Sequence, residues 1–305
     1  MPSCQGRATS SLIFSSTETV SSIETQQLAL HDFIERHPRL LVLTGAGCST
    51  ESGIPDYRDA DGGWKRVQPV FFQAFMGEPA VRRRYWARSF IGWPRFRHAR
   101  PNAAHHALAH LEQQGRIEAL VTQNVDGLHQ AAGSTYVIDL HGRLEQVRCM
   151  DCELRLPRSQ FQAELTRRNL AWQALDAATA PDGDADLEAM DFASFEVPSC
   201  PRCDGTLKPD VVFFGESVPP DRVRVAMAHL ATADALLIVG SSLMVYSGYR
   251  FAQAAAAQGK PIAAVNLGRT RADELLTLKV VAPCARALGS IKRAPAGAAA
   301  EAGSV

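Results

Sequence analysis

The sequence predicts an α/β protein: a doubly wound parallel Rossmann-like sheet with a smaller zinc-binding and helical domain. Three observations carry that prediction. Five short aliphatic runs each end in Gly, Asn or Ser, helix-like stretches separate them, and two C-x-x-C pairs stand apart from both.

The runs are Leu40 to Gly45, Glu118 to Asn124, Tyr136 to Gly142, Ala235 to Ser242 and Pro261 to Gly268. Each is nearly all apolar rather than alternating, so each is expected as a central strand buried on both faces. In such sheets a ligand sits beyond the carboxyl ends of the strands, where the glycines and polar residues of this chain cluster. The alternation is broken by an aromatic, Arg-rich stretch (59–100) and by the region holding the cysteine pairs (148–205), expected to build the small domain as a helical module plus a zinc module. The sheet domain is then discontinuous, over 25–58, 101–147 and 206–290. Residues 1–24 are Ser- and Thr-rich with neither a secretory core nor an Arg-rich transit pattern, and 291–305 are mostly Ala, Gly and Pro; both ends are expected to be disordered.

Charge excludes several function classes. Lys plus Arg equals Asp plus Glu at 32 each, so no overall field draws the chain to nucleic acid or to an anionic membrane. The apolar runs fall far short of the ~20 residues of a membrane-spanning helix. Seven cysteines are too few and too unevenly spaced for a secreted disulfide framework. A monomeric cytoplasmic enzyme is the expectation, with no nucleic-acid or membrane partner. Cys149, Cys152, Cys200 and Cys203 offer four thiolates, which close the tetrahedral shell of Zn²⁺ and leave no position for water. That makes the metal structural. The long insert between the pairs is no obstacle, because loop-closure entropy grows slowly with length. The stretch 176–196 carries seven acids and no base, unlike a nucleic-acid zinc ribbon.

After the first run comes GAGCSTESGIPDYR, from Gly45 to Arg58. Small residues there let backbone N–H groups approach a pyrophosphate. A hydride-transfer enzyme fits poorly, because Thr50 stands where the third glycine of G-x-G-x-x-G belongs and no acidic residue ends a second strand about 20 residues on. Then follow TQNVDGLH (Thr122 to His129), His141-Gly142, the two C-x-x-C pairs, LKPDVVFFGE (Leu207 to Glu216), GSS (Gly240 to Ser242) and NLG (Asn266 to Gly268). In this order the motifs resemble those of a sirtuin, over residues 25–290. ESGIPDYR, YWARSFIGWP (Tyr85 to Pro94) and VYSGYRF (Val245 to Phe251) are most similar to the class II branch, which includes a mitochondrial animal member.

The resemblance implies an NAD-consuming deacylase acting on acylated protein lysines, with nicotinamide, O-acyl-ADP-ribose and free lysine as products. It implies His141 as the base that activates a ribose hydroxyl. An imidazole near pKa ~6.5 at a strand end can be neutral at pH 7. Gln123, Asn124 and Asp126 are implied at the ribose and the nicotinamide carboxamide, with Asn124 also orienting a hydroxyl or a water. Gly45, Ala46, Gly47 and Thr50 are implied at the pyrophosphate, and Asp56, Tyr57 and Arg58 on a loop that orders over the cofactor. Gly240, Ser241, Ser242, Asn266, Leu267 and Gly268 are implied at phosphate and adenine ribose, and the backbone of Cys284 at the adenine. DVVFFGE, with Val211, Val212, Phe213 and Phe214, is implied as the strand that pairs with substrate peptide beside an apolar acyl tunnel.

Between Arg82 and Arg100 lie seven arginines and no acid. A solvated helix face is the plain reading. Tyr85 and Arg88, three apart, share one helix face and resemble the pair with which desuccinylating sirtuins hold an acidic acyl group, so a preference for acidic chains is a further expectation. Mono-ADP-ribosyl transfer to protein, and a non-catalytic NAD or acyl-lysine binding module, are the alternative functions.

Overall fold

The computed structural model describes residues 16–65, 69–173, 190–289 and 291. The expectations for 1–15, for most of the acidic insert and for nearly all of the tail fall outside the described residues.

Among the described residues nine strands run in chain order: β1 (Leu40–Thr44), β2 (Ile117–Thr122), β3 (Val137–Asp139), β4 (Gly142–Cys149), β5 (Arg155–Pro157), β6 (Leu207–Val211), β7 (Ala235–Val239), β8 (Ile262–Val265) and β9 (Leu278–Val280). Six of them form one sheet in the order β3-β2-β1-β7-β8-β9, and every pairing in it is parallel. The chain leaves β1 toward one edge and returns at β7 toward the other. The point where the winding reverses therefore lies between β1 and β7, the place where doubly wound sheets open a crevice.

Strand burial explains the apolar runs. In β1, Leu40 and Val42 face one layer, with Leu30, Phe33 and Ile34 of helix Ser16–Arg36, Leu108 and Leu111 of Ala103–Gln113, and Leu288 of Cys284–Leu288. Leu41 and Leu43 face the other, with Leu230 of Pro220–Thr232 and Phe251 of Tyr246–Ala257. Both faces are covered, so alternation is lost. Two strands depart from the expectation of central burial. β3 is half-buried throughout because no strand pairs beyond it, and β9, too short to stand out in the sequence, forms the opposite edge. The first helix also starts at Ser16, inside the lead expected to be disordered.

β4 pairs antiparallel with β5 and β6 in a second, three-stranded sheet. Against it packs an aromatic core in which helix Pro79–His98 supplies Tyr85, Trp86, Phe90 and Phe96. The Arg-rich stretch is thus two-sided: its aromatics point inward while Arg84, Arg95, Arg97 and Arg100 are exposed. Trp86 is fully buried, and its Nε1–H donates to the Leu207 carbonyl at 3.2 Å. Arg158, also buried, lies over Trp93 at 4.8 Å and over Trp86 at 5.4 Å, where a flat guanidinium stacks at low desolvation cost.

Candidate active site

Two glycines set the geometry of the crevice. Gly240, just past β7, has φ +65°, and a Cβ there would lie 2.1 Å from the Cys48 amide nitrogen. Only glycine lets the turn after β7 touch the turn after β1, and the contact is closed by Gly47 N–H donating to the Gly240 carbonyl at 2.8 Å. Gly142 follows His141 with φ +81°, and a Cβ there would meet the Asp210 carbonyl oxygen at 2.0 Å. That close crossing brings β6 beside His141, whose carbonyl accepts from Val212 N–H at 2.8 Å.

The turns enclose a cavity of about 1270 Å³. Gly45, Ala46, Gly47, Thr50, Asp56, Tyr57, Arg58, Gln123, Asn124, Asp126 and His141 line it, as do Gly240, Ser241, Ser242, Asn266, Leu267, Gly268, Cys284, Val211, Val212, Phe213, Phe214 and Tyr85. Arg88 does not belong to the lining. Every other candidate outside the cysteine set shares this one space.

Hydrogen bonds lock the three central strand ends together. Gln123 Nε2 donates to Ser241 Oγ at 2.7 Å and to the Thr44 carbonyl at 3.2 Å. Asn124 Nδ2 donates to the Gly45 carbonyl at 3.0 Å and to Ser49 Oγ at 3.1 Å, and Ser49 in turn donates to Asp126 at 2.7 Å. Asp126 also takes the Leu128 N–H at 2.9 Å. Burial pushes its carboxyl above the ordinary range, against those two donors. Asn124 and Asp126 therefore already brace the glycine turn after β1, which their placement at a strand end could not reveal. Ser49, inside the glycine run, is a site residue that sequence reasoning passed over.

His141 sits half-buried at the cavity wall. Its Nδ1 lies 2.9 Å from the Gln123 carbonyl, which can only accept; Nδ1 thus carries the proton and Nε2 the lone pair. Nε2 faces Ser247 Oγ at 2.9 Å. Desolvation lowers the ring's pKa to about 4, well under the ordinary value expected from sequence; Arg222 and Arg250 add to the lowering and the Gln123 carbonyl opposes it. At neutral pH the ring is an uncharged acceptor.

The loop bearing Asp56, Tyr57 and Arg58 lies across the cavity. Lys65 pairs with Asp56 at 2.5 Å, and Arg58 stacks 4.0 Å over Trp64 while donating to the Gly62 carbonyl. Trp64 meets Phe214 edge-on at 5.4 Å. The segment expected as one strand from Asp210 to Glu216 needs correction: β6 ends at Val211. Buried Lys208 pairs with Glu216 at 3.0 Å and donates to the Val211 carbonyl, while Glu216 accepts Phe213 N–H at 2.8 Å. This clamp, with Gly215 at φ +78°, turns the chain back and leaves Phe213 and Phe214 on the cavity wall.

The four predicted thiols converge, with ligand atoms all within 4.8 Å of one another. Cys149 and Cys203 have Sγ atoms 3.6 Å apart, and Cys152 and Cys200 3.7 Å. A tetrahedron with Zn–S bonds of ~2.3 Å has edges of ~3.8 Å, while a disulfide needs ~2.05 Å. The set fits zinc. A second group, Cys48, His105 and His129, is also tightly clustered. There, His105 Nδ1 accepts the Asn102 N–H at 3.3 Å in a capping box, so its Nε2 bears the proton that faces Cys48 Sγ at 4.0 Å. A ring protonated on that side is a hydrogen-bond donor, not a metal ligand.

With this geometry in view, the fold and cleft define an α/β dinucleotide-binding protein with a thiolate-stapled module. The chain belongs to the Sir2 family, whose model matches residues 45–247. An NAD-dependent protein deacetylase of Xanthomonas campestris pv. campestris (strain 8004) is 67% identical over 267 residues, covering 88% of this chain and 91% of the relative. NAD-dependent protein deacetylase 2 of Bradyrhizobium diazoefficiens is 69% identical over 260 residues, with 85% and 95% covered. A solved structure of Sir2 bound to acetylated peptide matches with a TM-score of 0.68 at 31% identity, over 87% of this chain and 96% of that one. A Sir2-p53 peptide-NAD+ structure matches equally well, at 0.68 and 31%, over 86% and 95%.

Two outcomes are expected. Purified protein should carry one zinc per chain by elemental analysis, lost with cooperative melting in Cys200→Ser; a metal-free but fully folded wild type would contradict the zinc assignment. His105 and His129 are fully buried, and desolvation lowers His105 to about 4 and His129 well below its ordinary value. Groups with depressed folded-state pKa stabilise above the unfolded value of ~6.5 and lose that contribution as pH falls toward the folded value, on the order of 3 kcal/mol for a shift like that of His105. The melting temperature should therefore drop steeply between pH ~6.5 and ~4. A flat profile there would show that the rings are protonated in the fold.

Proposed function

We propose that this chain is an NAD-dependent protein-lysine deacetylase. One observation carries the reading: the glycine turn suited to a pyrophosphate, the neutral His141 lone pair and the Val211–Phe214 segment suited to a peptide all line one cavity. Its sequence similarity to deacetylases supports the same assignment. The cytoplasmic, monomeric protein remains the reading from sequence; among the described residues no helix is long and apolar enough to cross a membrane.

In this reading the turns at Gly45–Gly47 and Gly240–Ser242 receive the phosphates, the N–H groups of Gly45, Gly47 and Gly240 being spent on the Val239, Gly240 and Val265 carbonyls that hold the turns in place, and Asn266–Gly268 with Cys284 receive the adenosine end. NAD supplies an electrophilic ribose carbon with nicotinamide as leaving group, and the acyl oxygen of the substrate lysine attacks it. His141 then takes the proton of a ribose hydroxyl. The Asp56–Lys65 loop and Trp64 close one side of the site and keep bulk water from the reacting carbon. Phe213 and Phe214, held by the Lys208–Glu216 clamp, wall the path of the acyl-lysine.

The wall around Tyr85 is apolar, with Ile54, Val70, Phe96, Val125, Leu144 and Phe213 in the lining, and Arg88 is not part of it. An acetyl group suits that wall better than a carboxylate-tipped chain, so the acidic-acyl preference is the weaker of the two readings. The test is a panel of acetyl-, succinyl- and glutaryl-lysine peptides with NAD and a mass readout. Acetyl-lysine should be removed with the highest kcat/KM, and His141→Tyr should lower that rate on the order of 100-fold or more. A succinyl preference abolished by Arg88→Met would reverse the acyl reading. Label from NAD appearing on protein instead of on O-acetyl-ADP-ribose would make the chain a mono-ADP-ribosyltransferase, and no nicotinamide release would leave a binding module.

A further inference from the structure

The charged side chains around the cavity are mostly satisfied within the protein. Asp56 pairs with Lys65, Glu216 with Lys208 and Arg224 with Asp221. Arg250 also lines the cavity, yet among the described residues it makes no ion pair and no hydrogen bond, and its Nε is buried without a partner. A half-buried guanidinium of this kind has given up part of its water without gaining an acceptor, and its flat fork matches a carboxylate.

The helix that carries Arg250 fixes where its charge sits. Arg250 stands four residues after Tyr246 on helix Tyr246–Ala257 and lies over the Tyr246 ring at 5.0 Å. Tyr246 and its neighbour Val245 line the cavity but are 57% and 37% exposed, so this part of the lining is its mouth. The start of helix Pro220–Thr232 adjoins it: Val218 and Val223 line the cavity and share a core with Phe251, the residue after Arg250. Arg224 on that second helix is neutralised by Asp221, and Glu216 by Lys208. The mouth therefore carries an uncompensated positive charge at Arg250. The apolar wall around Tyr85, suited to the acyl group, is built from other elements, so the matching anion belongs to the peptide that carries the lysine.

We propose that Arg250 is a specificity-determining residue of the substrate site: its guanidinium pairs with the carboxylate of an Asp or Glu side chain that flanks the acetyl-lysine in the substrate protein. The stack on Tyr246 orients the fork beforehand, which lowers the entropy lost on pairing. The inference rests on the deacetylase reading above.

The test uses the full-length protein, saturating NAD and acetyl-lysine peptides that differ at a single flanking position, with Glu, Gln or Lys there, each flanking position being scanned in turn. In the wild type the Glu peptide should exceed its Gln counterpart in kcat/KM by about fivefold at one position, as a partly exposed ion pair would give, and the advantage should shrink as salt is raised. Arg250→Gln should use the two peptides alike, and Arg250→Glu should favour the Lys peptide at the same position. Each comparison is a ratio within one preparation, so a partly unfolded variant does not distort it. Equal use of Glu and Gln peptides by the wild type at every position, or a Glu advantage that survives Arg250→Gln, would overturn the assignment. A raised KM for NAD with every peptide in Arg250→Gln would overturn it in favour of a cofactor contact, and a succinyl-lysine preference lost in that variant would overturn it in favour of the acyl chain. A wild type that deacetylates none of the peptides would instead sink the deacetylase reading, and this assignment with it.

Discussion

The site depends on one contact with no room to spare: the turn after β7 lies against the turn after β1 so closely that Gly240 has backbone, not side chain, as its neighbour. Parallel strands at a winding reversal splay their following segments to opposite faces, which opens a crevice. Here the two turns that flank the crevice are drawn back together by Gly47 N–H on the Gly240 carbonyl, and Gln123 ties the end of β2 to both. The turns after two strands thereby border the same space. A side chain at either glycine would force them apart.

The second constraint is electrostatic. A base that must accept a proton at neutral pH has to be uncharged beforehand, and burial near Arg222 and Arg250 favours the uncharged imidazole of His141. The same surroundings oppose the imidazolium that forms when the proton arrives. Phosphates bound in the neighbouring turns would offset that cost by adding negative charge close by, so the ring is suited to act with the cofactor in place and to stay inert without it. The β4 strand of the cysteine module begins at Gly142, immediately after His141, so the thiolate staple steadies the strand that follows the proposed base.

Much of this was legible in the sequence where backbone demands are strict. β1 and β7 are apolar on both faces because helices cover both, and the glycines after them mark the switch. The paired cysteines needed only spacing, whereas His141 as a base was implied by the resemblance of the surrounding motifs and not by its place at a strand end. Less legible were features set by tertiary contact. β9 is a three-residue edge with little apolar length to betray it, and β3, expected as a central strand, stands at the opposite edge. The strand predicted through Glu216 ends at Val211 because buried Lys208, seven residues before Gly215, folds forward onto the carbonyls of Pro209 and Val211. Arg88 has the right spacing from Tyr85 along a helix, yet spacing cannot say which of two residues reaches the cavity. Ser247 lies inside VYSGYRF, yet the motif does not say that its hydroxyl meets the His141 ring.

The central claim is that His141 keeps an unprotonated Nε2 at neutral pH, accepting from the Ser247 hydroxyl, with its proton held on Nδ1 by the Gln123 carbonyl. Nitrogen-15 NMR of imidazole-labelled protein at pH 7, with the His141 signals assigned by substitution, reads that state directly. The account predicts one protonated nitrogen, Nδ1, and one unprotonated nitrogen, Nε2. Two protonated nitrogens, or a proton on Nε2 with Nδ1 bare, would contradict it.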